Sequence, residues 1–307
     1  MNNVDQDTLV SSLAGDLLKE KRTARRWKTV RSLAWLVLLT YIFINIFHYM
    51  NGSSKSSSLL DGKYVALIRL DGMIAPGRDF SSDTVIPILK DAFSDKNAEG
   101  VVIDINSPGG TPVQAAIIHD AILKFKKQYH KKAIIVGEDM LTSGAYYVAV
   151  AGDKIYVNPN TVTGSIGVIM KGFGFVDLIK KLGIERRVYI AGDDKDRLDP
   201  FLPQNPQDLK KIQGVIAEVH NNFVQAVMDG RKGKLHGDPK DLFSGDFWSG
   251  QTALSLGLVD GLGNLMDVME KEFKTSHYEE YGGSSQLMRL LGGQINSAVD
   301  SVSYLYA

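Results

Sequence analysis

The chain has 307 residues, 44% of them hydrophobic, enough for a sizeable core in one large domain or two modest ones. Its 35 basic side chains balance 35 acidic ones, so total charge leaves no footprint for a nucleic-acid partner. Cysteine is absent, which excludes disulfides, thiolate metal sites and a cysteine nucleophile.

The charge balance hides an asymmetry at the N-terminus. Residues 19–31 hold seven basic side chains against Glu20 alone, and SLAWLVLLTYIFINIFHYM (32–50) follows without a Lys, Arg, Asp or Glu. As a helix this stretch rises about 28 Å, close to the hydrocarbon thickness of a bilayer. Trp35 and Tyr49 near its two ends suit the interfacial belts, and only Lys55 follows before Asp61. The pattern predicts a transmembrane helix with the N-terminus cytoplasmic and the bulk of the chain outside. A cleaved signal peptide would have a shorter leading region and an apolar run of about 7–15 residues. A buried core helix would show a polar face, and Asn45 alone is not one.

Beyond a flexible linker, NGSSKSSS, the pattern alternates. KYVALIRLDGMI reads as a strand, SDTVIPILKDAFSD as a helix and GVVIDIN as a buried strand. TPVQAAIIHDAILKFKKQ reads as a helix with Pro112 in its first turn, and KAIIVGE as another strand. A helix from about Ser143, strands at KIYVN and around GSIGVIM, and a helix at GFVDLIKKLG complete the alternation. It predicts an α/β domain with a largely parallel sheet. PQDLKKIQGVIAEVHNNFVQAVMDGRKG reads as one long amphipathic helix. The expected organisation is a basic cytoplasmic segment (1–31), the membrane helix (32–50), a linker (51–61), the α/β domain (62–275) and a tail of helical spacing (276–307).

Two loops follow strands of this sheet, whose carboxyl ends are where open α/β sheets bind ligands. In DINSPGGTP, Gly109 and Gly110 leave backbone N–H groups uncovered; an ordinary strand-to-helix turn would read the same way. In GEDMLTSGAYYVAVAG, Ser143 stands at a helix start whose first N–H groups are unpaired and favour negative charge. Ser143 could be an N-cap and nothing more. It could also be a nucleophile, with the N–H groups of the two loops forming an oxyanion hole. A serine nucleophile needs a base. None of the six histidines has a loop context that suggests a triad, and a lysine base must be held neutral by burial. No histidine-rich or paired His/acid motif implies a metal, and nothing implies another cofactor.

SPGG (107–110), TSGAYY (142–147), TVTGSIGVIM (161–170) and YIAGDDKDRLDPF (189–201), with the closing FWSGQTALSLGLVDGLG (247–263), make the chain resemble the bacterial signal peptide peptidase A family. These are membrane-anchored Ser–Lys proteases on the Clp-protease/crotonase fold, and the resemblance runs from about Lys63 to Gly263. It implies Ser143 as nucleophile, Lys195 as general base, Ser165 as the residue that orients the lysine, and the N–H groups of Gly110 and Gly144 as the oxyanion hole. It also implies a homo-oligomer in which the dyad can form between neighbours, and a catalytic domain on the periplasmic face of the inner membrane. The implied substrates are apolar peptides such as signal-peptide remnants. Asp193, Asp194 and Asp196 flank Lys195 and would raise its pKa if their charges faced it, and Lys171 is the reserve base. A catalytically silent peptide-binding scaffold and a crotonase-type acyl-CoA enzyme are the competing readings.

Overall fold

The computed structural model describes residues 31–44 and 63–282, which belong to two separate units. Residues 31–44 form helix α1, whose apolar side chains, Leu33, Trp35 and Phe43 among them, are exposed. Among the described residues no helix is long and apolar enough to cross a membrane. The expected span continues to residue 50, and its last six residues lie outside the described ones, as does the expected tail helix beyond residue 282.

The second unit is built on one eight-stranded sheet, β1 (Tyr64–Asp71), β2 (Ala98–Ser107), β3 (Ala133–Thr142), β4 (Lys154–Val157), β5 (Val162–Gly164), β6 (Phe247–Ser249), β7 (Gly261–Leu262) and β8 (Tyr278–Tyr281). Its main path runs β6-β5-β3-β2-β1-β8, with β4 paired to the first half of β3 and β7 paired to β4. Every pairing is parallel except β5 with β6, so the sheet is largely parallel as the alternation predicts. Helices α2 (Ser82–Ser94), α3 (Pro112–Tyr129) and α4 (Gly144–Ala149) fall between strands. A short α5 (Val176–Lys181), the long α6 (Pro206–Gly230), α7 (Pro239–Leu242), α8 (Gly250–Ser255) and α9 (Leu265–Phe273) complete the chain.

The two faces of the sheet follow the period of two along each strand. Val101, Ile103 and Ile105 of β2 join the large core with Leu89 and Phe93 of α2 and Ile118 and Ile122 of α3. Val102 points the other way, into a smaller core with Val65, Leu67 and Val136, closed by Val268 and Met269 of α9. Both faces are therefore covered, which is why these strands read as nearly continuous apolar runs.

Two elements differ from expectation. The tail expected to be helical from residue 276 opens with β8, which pairs in parallel with β1 and so belongs to the sheet. The strand expected around GSIGVIM ends at Gly164. Ser165 takes φ 52°, its N–H turns away to the carbonyl of Asp246 at 2.7 Å, and the N–H of Gly167 closes a tight turn on the Ser165 carbonyl. From there to residue 205 the only helix or strand is α5.

Candidate active site

Parallel register sets the site. Thr142 of β3 lies opposite Gly164 of β5, so Ser143 and Ser165 follow side by side at the ends of neighbouring strands. Both take positive φ, 51° and 52°, which a non-glycine residue seldom adopts and which marks backbone held by its surroundings. The holding contacts are visible: Ser143 N–H donates to the Gly164 carbonyl at 2.8 Å, and its own carbonyl accepts from Tyr147 N–H at 3.0 Å. Ser143 occupies the N-cap position of α4, yet its side chain makes no capping hydrogen bond. Its hydroxyl is thus left to the half-buried space at the sheet edge rather than spent on the helix.

The SPGG loop closes on Ser143 from the next strand. A side chain at Gly109 would place its Cβ 2.7 Å from the Gly144 nitrogen and 2.8 Å from Ser143 Cβ, so only a glycine lets the two loops touch. Ser107 Oγ, fully buried, accepts from Gly109 N–H at 3.1 Å and fixes the turn. The segment after β1 pins its far end, with Ile74 N–H donating to Gly109 and Thr111 N–H donating to Ile74, both at 2.8 Å. The Gly110 nitrogen then lies 3.2 Å from where a Gly144 Cβ would be, and among the described residues neither the Gly110 nor the Gly144 N–H has an acceptor. Two open donors beside a free serine hydroxyl can bind an oxyanion as it forms.

The packing makes a stability prediction. Alanine at Gly110 would drive its Cβ to 2.0 Å from the Ile74 carbonyl oxygen, a backbone atom that cannot step aside. Gly110→Ala is expected to cost about 2–3 kcal/mol, read by calorimetry as a midpoint lowered by roughly 5–10 °C. Gly172→Ala, with open space around it, should leave the midpoint unchanged.

The tyrosines behind Ser143 are structural. Tyr146 is fully buried and donates to the Leu258 carbonyl at 2.6 Å, and burial pushes its hydroxyl pKa upward. Tyr147 lies edge-on to His119 and against Phe223 of α6, anchoring α4.

Lys195 is exposed in a turn of residues 193–198 and is not buried by its own chain, where a neutral amine would need it. Of its flanking acids, Asp194 pairs with Arg197 at 2.7 Å. Arg197 in turn reaches Asp208 of α6, and Asp196 lines a cavity of about 540 Å³ with Lys171, the reserve base, also exposed. The stretch around Lys195 shows apolar side chains to solvent, including Ile169 at 76%, Phe173 at 74% and Tyr189 at 92% exposure.

Two contacts with the site were not assigned from the motifs. The Asp246 carbonyl takes the Ser165 N–H, and the Trp248 ring packs where a Gly164 Cβ would be, within 2.6 Å. Both lie beside or within FWSGQ, whose aromatic residue ahead of a helix start was the available signal.

Fold and site together define an α/β protein that gathers a serine and two open backbone donors at the carboxyl edge of its sheet. The model of "Peptidase family S49" matches residues 125–277. The chain is 32% identical over 210 residues to a Synechocystis sp. protein named "Putative protease slr0021", covering 68% of this chain and 73% of that one. It is 28% identical over 282 residues to the Enterococcus faecium protein named "Putative signal peptide peptidase SppA", covering 81% of each. The chain belongs to peptidase family S49. It is also 44% identical over 214 residues to a Brucella melitensis protein named "Na(+)/H(+) antiporter NhaA", covering 68% of this chain but spanning only 29% of that relative's length.

Proposed function

We propose that this protein is a membrane-anchored serine endopeptidase with a Ser143–Lys195 dyad. The observation that carries the reading is the convergence of an uncapped Ser143 hydroxyl with the open N–H groups of Gly110 and Gly144. Ser143 Oγ attacks the peptide carbonyl, and the oxyanion of the tetrahedral intermediate is held by those two donors. Lys195 Nζ takes the serine proton and delivers it to the leaving amine. Water then hydrolyses the acyl-enzyme, with the lysine as base again. Ser165, beside Ser143 in register, accepts or donates at the amine and orients it.

Lys195 reaches its working state in an assembly of several copies. Its exposure in one chain and the exposed apolar side chains around it support a neighbour that covers this stretch and desolvates the amine. Residues 32–50 hold the enzyme in the inner membrane, with the peptidase domain (62–275) on the periplasmic side. The relatives named as proteases and as a signal peptide peptidase support apolar peptides left in or near the bilayer as substrates.

A fluorophosphonate probe applied to the full chain in detergent is expected to label Ser143 once per chain, located by peptide mass mapping. A wild-type assembly that takes up no label would bring forward the scaffold reading, in which the exposed Lys195 never meets the serine.

A further inference from the structure

Ser165 sits at φ 52°, a conformation that a non-glycine residue keeps only while its surroundings hold it there. Three hydrogen bonds hold this turn. The Ser165 N–H donates to the Asp246 carbonyl at 2.7 Å, and the Ser165 carbonyl accepts from the Gly167 N–H at 3.0 Å. The third comes from a side chain. His220 Nε2, on α6, lies 3.2 Å from the carbonyl oxygen of Ile166, the next residue of the turn. A carbonyl oxygen only accepts, so the ring donates and Nε2 carries the hydrogen. Among the described residues the Ile166 carbonyl has no other donor, and the Ile166 side chain is fully buried.

The helix that presents His220 is itself anchored. Phe223, three residues on and so on the same face of α6, is buried against Tyr147 with ring centroids 5.0 Å apart. Val227, one turn further, is fully buried. Tyr147 belongs to α4, which begins directly after Ser143. One face of α6 therefore meets both the helix behind Ser143 and the turn that carries Ser165. A cavity of about 320 Å³ separates the rest of that turn from α6, with His220 in its wall beside Gly167, Val168, Ile216, Ala217 and Ser244. The turn is not packed flush on the helix there, and the His220 bond ties the two across the gap.

We propose that His220 is a positioning residue for the peptidase reaction, fixing the turn that aims the Ser165 hydroxyl. The inference rests on the proposed role of Ser165 in orienting the Lys195 amine beside Ser143. The other two bonds of the turn are backbone bonds that survive a change of side chain; only the His220 bond can be removed by one substitution. Without it the Ile166 peptide is free to rotate, and Ser165 relaxes from φ 52° toward a commoner conformation, carrying its hydroxyl off the amine. The loss falls on proton transfer and leaves substrate binding alone.

The test uses the full chain in detergent with a fluorogenic apolar peptide. His220→Leu, which removes the donor, should lower kcat about tenfold with KM unchanged. Labelling of Ser143 by a fluorophosphonate should slow with it. His220→Gln, whose amide can donate to the same carbonyl, should restore most of the rate. His220→Met, a second variant without a donor, carries the comparison if His220→Leu does not fold. In a Ser165→Ala chain, itself expected to be slow, adding His220→Leu should cost nothing further, because the group that His220 positions is gone. Unchanged kcat in the donorless variants, an effect confined to KM, a His220→Gln protein as slow as His220→Leu, or a full further loss in the Ser165→Ala chain would overturn the proposal. A Ser165→Ala protein of wild-type rate would overturn the role of Ser165 itself, and this inference with it.

Discussion

Ser143→Ala is expected to lower kcat/KM for a fluorogenic apolar peptide on the order of 10⁴-fold or more, with the thermal midpoint nearly unchanged. The two halves of that expectation have separate grounds. Oγ makes no cap to α4, so removing it strips nothing from the fold. The contacts that hold the residue at φ 51°, Ser143 N–H to Gly164 and Tyr147 N–H to Ser143, are backbone bonds that alanine keeps. What disappears is the hydroxyl that, in the proposed mechanism, attacks a carbonyl bound by the Gly110 and Gly144 donors. A Ser143→Ala protein that still cleaves the peptide would move the nucleophile elsewhere.

Lys195→Ala is expected to reduce kcat about 10³-fold, within the usual range for loss of a general base, with KM little changed. Lys195→Arg should not rescue it, because a guanidinium does not give up its proton at working pH. The loss should be repaired in trans. Neither Ser143→Ala nor Lys195→Ala chains are expected to act alone, but mixed assemblies of the two should regain activity if serine and lysine come from different copies. Fluorogenic assays on mixtures of tagged, co-purified chains measure this. Full wild-type activity in a strictly monomeric preparation would defeat completion by a neighbour, and a Lys195→Ala protein of normal rate would turn attention to Lys171.

Much of the fold was legible because both faces of the sheet are buried. GVVIDIN could only be a covered strand, and Pro112 marked the start of α3 within one residue of the SPGG turn. The approach of the two glycine loops to Ser143 also followed from their shared position after neighbouring strands. The stretch after Gly164 was not legible. SIGVIM has the β-branched composition of a strand, but the turn at Ser165 is imposed by Asp246, some eighty residues away, and a local pattern does not record such a partner. Of the three acids that flank Lys195 in the sequence, Asp194 has its carboxylate on Arg197. Conversely, the lone acid in GVVIDIN was a visible signal, a charge inside a buried strand, and it is held there by Arg69 of the neighbouring strand.

The pairing of Thr142 with Gly164 has a consequence for how such a site can be lost. Because side chains alternate along a strand, a slip of β5 by one residue would carry Ser165 away from Ser143 while leaving every catalytic residue in the sequence. The alignment of the two serines is in this sense a property of strand pairing, guarded by residues on the neighbouring strand. The Trp248 ring against Gly164 and the Asp246 carbonyl on Ser165 are two such guards. Inactive relatives could therefore arise with every motif intact, through changes confined to the strand next door.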